Sequence, residues 1–178
     1  MTTAFRTAYL ADHPEVHPTL ASWFEAEWPN WYGPNGEGNA REDLARYAAR
    51  ARLPIGIVGF LGEELVGVAV LRDQSVLAPD LRPWAAAGFV HPAHRRQGIG
   101  AKLLAAVEEV ARDLGFDRIY CGTETIPAYL QRVGWTLMPR ANAGGTSVPI
   151  YAKTLVPRTP PLFVDGSAHA EEVVRPTR

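Results

Sequence analysis

The run Phe89-Val90-His91-Pro92-Ala93-His94-Arg95-Arg96-Gln97-Gly98-Ile99-Gly100-Ala101 holds the residue types that bind an anion. An apolar stretch stops at Val90, a basic turn follows, and an amphipathic helical pattern begins. Helix N-termini carry N–H groups with no intrahelical partner and a partial positive charge, so anions bind there. Glycine lets backbone approach a phosphate with no Cβ in the way. Arg95 and Arg96 add charge. These residues predict a phosphate or pyrophosphate site; a basic surface turn is the alternative. A P-loop is excluded, because Ala101-Lys102-Leu103 stands where Gly-Lys-Ser/Thr is needed. A dinucleotide fingerprint starting at Gly98 would need Gly or Ala at Leu103, and fails too.

Glu27 is a second residue with chemistry to offer. Leu20, Trp23, Phe24, Glu27 and Trp28 share one face of a helical pattern, so Glu27 is expected to point with the aromatics. It sits near the end of that helix, where the dipole disfavours a carboxylate. A carboxylate placed against local preference suits an amine; a place at the rim with its charge in water is the alternative. Trp31 and Tyr32 fall in a loop and are candidates for lining a pocket. His91 and His94 read as loop surface. Cys121 reads as a small buried hydrophobe on a strand. The His, Asp and Glu positions show no metal-ligand spacing, so no metal is expected.

The elements that must position these residues are read from periodicity and punctuation. Phe5 to Leu10 reads as a short strand. A helix follows Pro18 and ends at Pro29, and Asn30 to Gly38 reads as a loop. Asn39 and Glu42 predict a helix cap. That second helix should run from Ala40 to Arg52, with Leu44, Tyr47, Ala48 and Ala51 inward, until Pro54 stops it. Ile55–Leu61 and Leu65–Leu71 form a hairpin around Gly62. Trp84 to Val90 reads as a central strand buried on both faces. The helix after Gly98 should bury Leu103, Leu104, Val107, Val110, Ala111 and Leu114, with Glu108 off that stripe. Gly115 caps it. Arg118–Cys121, Trp135–Met138 and Val148–Leu155 are strands, and Pro127–Val133 is a short helix. Strands and helices in this order make an α/β domain with a mixed sheet.

At 178 residues the chain suits one domain, placed at 1–157, with a proline-rich tail at 158–178. That tail is expected to be disordered or to cover a neighbouring subunit, which allows a homodimer. The composition, 47% hydrophobic and 21% charged, is that of a soluble globular protein. A net charge of -1 gives no global reason to bind nucleic acid or anionic membranes. No apolar run could span a bilayer and the N-terminus lacks a secretory pattern, so a cytoplasmic protein is expected. One cysteine excludes an internal disulfide framework.

Arg95-x-x-Gly98-x-Gly100, after a Val-x-Pro strand end and before a helix, resembles the coenzyme A motif of the GNAT acetyltransferases. Ala128-Tyr129-Leu130-Gln131-Arg132-Val133-Gly134-Trp135 is similar to the family's late short helix ending in Gly-aromatic. Element order fits from about residue 4 to residue 155. The resemblance implies a single-domain GNAT fold, with a mixed, mostly antiparallel central sheet flanked by helices. It implies acetyl-CoA as donor and an amine as acceptor. Backbone groups of Phe89 and Val90 would pair with the pantetheine arm, and a backbone N–H near Val90 would polarise the thioester carbonyl. Arg95, Arg96, Gln97, Gly98, Ile99, Gly100 and Ala101 would hold the pyrophosphate.

The chain departs from the family pattern at two places. Many members carry a catalytic tyrosine four residues before the late glycine, where this chain has Leu130. Tyr129 is the adjacent candidate, although one helical step turns a side chain by about 100°. The family's strand carboxylate is also missing from Trp84-Ala85-Ala86-Ala87-Gly88. Glu124, where the sheet is expected to splay, and Glu27 are the candidates for its role. The expected function is direct acetyl transfer from acetyl-CoA to a small-molecule amine. The alternatives are a coenzyme A-binding regulatory module without catalysis, and an acetyltransferase acting on proteins or peptides.

Overall fold

The structure, a computed structural model, describes residues 4–138 and 148–156. The expected domain end at 157 and the tail 158–178 lie outside the described residues. The elements are β1 (Phe5–Tyr9), α1 (His17–Glu27), α2 (Pro29–Tyr32), α3 (Ala40–Tyr47), β2 (Ile55–Leu61), β3 (Glu64–Arg72), β4 (Trp84–Val90), α4 (Ile99–Asp113), β5 (Arg118–Gly122), α5 (Pro127–Arg132), β6 (Thr136–Leu137) and β7 (Ile150–Thr154). They build one domain around a 7-stranded sheet of order β1-β2-β3-β4-β5-β7-β6. Neighbours are antiparallel except β4 and β5, which are parallel.

Alternation along β2 divides the core. Ile55 and Ile57 face the side covered by α4, while Val58 and Phe60 face the side covered by α1 and α3. The Asn39 side chain accepts from the Arg41 and Glu42 amides and donates to the Glu42 carboxylate, the reciprocal cap expected there. The helix it starts ends at Tyr47, short of Arg52, and Ala51 is exposed. The segment after Pro29 opens with a helical turn instead of starting as loop.

Glu108 corrects the expected stripe of α4. It is only 7% exposed, accepts from Trp135 Nε1 at 2.9 Å, and pairs with Lys153 at 2.6 Å. Burial of this carboxylate is supported by a cation and a second donor, as a buried charge requires. Leu114, expected inside, is exposed. The Glu108 cluster ties α4 to β7 and to the residue preceding β6.

Close packing sets the height of α4 above the sheet. Gly59 and Gly67 are register partners on β2 and β3. A Cβ on Gly67 would lie 2.7 Å from the Phe89 carbonyl oxygen and 2.8 Å from Leu103 Cδ1. Leu103 therefore rests almost on backbone, and the first turn of α4 is brought against the end of β4. We predict that Gly67→Ala destabilises the fold by about 1–3 kcal/mol through overpacking, read as a lowered Tm in thermal unfolding.

Candidate active site

β4 and β5 share one register pair, Trp84 with Tyr120. The Tyr120 amide also donates to the Pro83 carbonyl at 3.0 Å, and the two rings lie 5.7 Å apart. Along its other edge β5 pairs with β7 through five register pairs, Arg118–Gly122 against Ile150–Thr154. β4 stays with β3 but carries a bulge. Val68 faces Phe89 and Val70 faces Ala86, so Ala69 stands opposite both Ala87 and Gly88. Ala87 adopts φ 48°, a left-handed conformation uncommon outside glycine. A bulge bends its strand and increases its twist, which carries β4 away from β5. Trp84 to Val90 is thus a bulged strand open along one edge, where the sequence pattern suggested a continuous buried one.

The bulge also shifts which side chains face which layer. Ala85 joins the α4 side, Phe89 the α1 side, and Val90 packs against the α4 side. The backbone follows the ladder. The His91 amide donates to the Val66 carbonyl at 2.9 Å, making those two a hydrogen-bonded pair. Alternation then makes Gly67–Val90 the non-bonded pair and turns the Val90 N–H and carbonyl away from β3. Phe89 turns its own toward β3. Of the two backbones expected to receive a pantetheine arm, Val90 is presented and Phe89 is not.

A cleft of about 640 Å³ fills the gap between the strands. Ala85 to Val90 line one wall, and Cys121, Gly122, Thr123 and Thr125 the other. Gly98, Gly100, Ala101, Leu103 and Leu104 close the α4 end, Ile126, Tyr129 and Arg132 the α5 side, and Trp28 reaches in from the end of α1. Gly98 is the N-cap of α4, at φ 77° and ψ 4°, and no side chain caps the helix. The Lys102 amide makes the cap bond to the Gly98 carbonyl at 3.2 Å. The amides of Ile99, Gly100 and Ala101 precede it and have no partner within the helix. Arg96, at φ 61°, completes the turn.

Arg95 is placed differently from Arg96 and Gln97. Its Nε donates to the Val90 carbonyl at 2.9 Å, its Nη2 pairs with Glu27 Oε2 at 3.1 Å, and its guanidinium lies 5.5 Å from the Phe89 ring centre. Glu27, expected to point with the aromatics of its helical face, is exposed and does not itself line the cleft, and one of its oxygens is engaged by the Arg95 cation. Arg95 was expected on the pyrophosphate, and no spacing rule marks it as the partner of Glu27. Glu124 is exposed in the bend after β5 and does not line the cleft. Trp31 is 51% exposed, and the Tyr32 hydroxyl donates to Asp43 at 2.7 Å. Neither lines the cleft; Trp28 does.

On α5 the adjacent residues divide sharply. Leu130 is fully buried in the core, whereas Tyr129 lines the cleft. The Arg132 guanidinium sits 5.6 Å from the Tyr129 ring centre. Burial, then the nearby Glu108 charge, raises the Tyr129 phenol above its ordinary value, against a smaller opposing effect of Arg132. It stays protonated through the neutral range.

No curated protein matches the sequence. The family model for the acetyltransferase (GNAT) family matches residues 20–135. The chain belongs to the GNAT acetyltransferases. Among solved structures, aminoglycoside 6'-acetyltransferase type Ii is similar over 86% of this chain and 99% of its own, at TM-score 0.64 and 22% identity. An aminoglycoside 6'-N-acetyltransferase complexed with coenzyme A covers 87% of this chain and 99% of its own, at TM-score 0.63 and 19% identity. The PaiA N-acetyltransferase of Thermoplasma acidophilum, in complex with coenzyme A, covers 85% and 99%, at TM-score 0.59 and 13% identity. At these identities the likeness is one of fold. Among the described residues no grouping could hold a metal ion, and no helix is long and apolar enough to cross a membrane.

Cys121 lines the cleft and is the nucleophile an acyl-enzyme route through this GNAT chain would use. Burial pushes its thiol up to about 11. At about pH 8 its thiolate fraction is then roughly a hundredth or less of that of a free cysteine. We predict alkylation by iodoacetamide at least a hundredfold slower than for free cysteine, followed by mass. Rapid labelling would show that the thiol is ionised.

Proposed function

We propose that this protein transfers the acetyl group of acetyl-CoA directly to a primary amine of a small-molecule acceptor. One observation carries the reading: the outward backbone edge at Val90 and the free amides at the start of α4 border one continuous cleft. The Val90 N–H and the second lone pair of its carbonyl suit a pantetheine amide. The amides of Ile99, Gly100 and Ala101, with the turn from Arg96 to Gly98, suit the pyrophosphate. A Cβ on Gly98 would meet nothing within 4 Å, so that direction is open for an anion.

In the proposed reaction the amine nitrogen attacks the thioester carbonyl. The new C–N bond forms, the C–S bond breaks, and coenzyme A leaves as thiolate. Tyr129 returns a proton to that sulfur. The amine gives up its proton to Glu27, through the oxygen that Arg95 leaves free, directly or by way of a water. Holding both reactants in one cleft supplies much of the rate. A thiol pKa of roughly 8.5 makes the leaving group tolerable near neutral pH.

The test is acetyl-CoA binding by calorimetry together with thiol release in the presence of amines. Gly98→Asp, which adds a negative charge at a left-handed position that aspartate tolerates better than most residues, should weaken acetyl-CoA at least tenfold, about 1.4 kcal/mol. Unchanged affinity would remove the donor from this turn. A chain that binds acetyl-CoA and turns over no amine would be a binding module instead. Tyr129→Phe should lower kcat about a hundredfold, the scale of general acid catalysis, while acetyl-CoA still binds. The wild-type rate should hold through neutral pH. The tyrosine's contribution should disappear as pH rises through its raised value, because only the protonated phenol donates.

A further inference from the structure

We infer that the acceptor is a monoamine with an apolar, ring-sized body, seated against Trp28. This rests on the acetyl-transfer reading above and names its second substrate. Trp28 is the C-cap of α1 and lines the cleft. Its indole is fixed by three rings: Phe24 at 5.0 Å, Tyr32 at 6.3 Å and Phe89 at 6.4 Å. A rigid indole offers wide contact at little cost in side-chain entropy. The bulged stretch Ala86-Ala87-Gly88 of the same cleft carries no side chain larger than a methyl. An indole in a cleft with such small residues leaves room for a flat apolar body. Thr123 and Thr125 add hydroxyls, and these contact each other at 3.2 Å.

The charges point the same way. The carboxylate next to Trp28 is Glu27, already paired with Arg95. Asp43, behind Tyr32, is held by the Tyr32 hydroxyl and by Arg46. The charged side chain on the cleft wall itself is that of Arg132. Glu27, exposed and next in sequence to the cleft-lining Trp28, keeps one carboxylate oxygen clear of Arg95, enough for one ammonium. A polycation would bring further ammonium groups toward Arg95 and Arg132, where like charges repel. Its selection would need several carboxylates on the cleft wall, and among the described residues that line the cleft none is a carboxylate.

The experiment uses the full chain, acetyl-CoA, and four amines: 2-phenylethylamine, ethylamine, spermidine and kanamycin. kcat/KM should be highest for 2-phenylethylamine, by a hundredfold or more over spermidine and kanamycin. In Trp28→Ala the ratio of 2-phenylethylamine to ethylamine should fall at least tenfold, and Trp28→Phe should restore most of it. A purely structural role for Trp28 would lower both amines together and overturn the assignment of the body to this ring. Preference for spermidine or kanamycin would overturn the inference and leave acetyl transfer standing. Acetyl-CoA binding with no acetylation of any of the four would overturn the inference and count against the amine-transfer reading itself.

Discussion

β4 and β5 hold together at Trp84 and Tyr120 and then part, and the rest of the site depends on that parting. Strand pairing is a strong default, because each edge N–H and carbonyl needs a partner. The bulge opposite Ala69 supplies the bend that breaks the default. It holds Ala87 in a conformation that alanine rarely adopts, and packing on both sides must maintain it. The alternation it sets places Phe89 toward α1 and the Val90 backbone toward the gap. A strand zipped to β5 along its length would have no cleft.

Three carboxylates show how the protein spends charge around this gap. Glu108 is buried and bound by Lys153 and Trp135, and it anchors the helix whose first turn faces the cleft. Asp43 lies behind the aromatic cluster, held by Tyr32 and Arg46. Glu27 and Arg95 are each partly exposed, so water screens their attraction and the pair adds little stability. Its consequence is positional. Arg95 touches Glu27, the Val90 carbonyl and the Phe89 ring, and so joins the end of α1 to the end of β4.

α5 separates a motif match from a geometric one. Counting back from Gly134 puts Leu130 at the family's tyrosine position. The fold buries Leu130 and turns the preceding residue into the cleft. Adjacent residues on a helix point about 100° apart, so one of the two had to face inward. Which one did was decided by the packing of α5 over Trp135 and α4, among residues far apart in sequence.

Much of the fold was legible because its causes are local. Periodicity marked the strands and α4, Asn39 and Glu42 marked a cap, and the Arg95 to Gly100 spacing marked the turn before α4 and pointed to the GNAT family. These depend on backbone preferences and on neighbours within a few residues. Burial of Glu108 was not legible: its cation, Lys153, lies on β7, and local polarity argued for solvent. The Glu27–Arg95 pair joins α1 to the turn before α4 and has no sequence signature. The bulge was hidden because Ala87 and Gly88 look like any small residues, and only the register against β3 sets two residues against one. The sequence by itself determined most of the elements and the glycine-containing turn that opens α4. The tertiary structure decided which backbone edge and which aromatic rings face the cleft, and which cation holds Glu27, because each of those depends on a partner from a distant strand or helix.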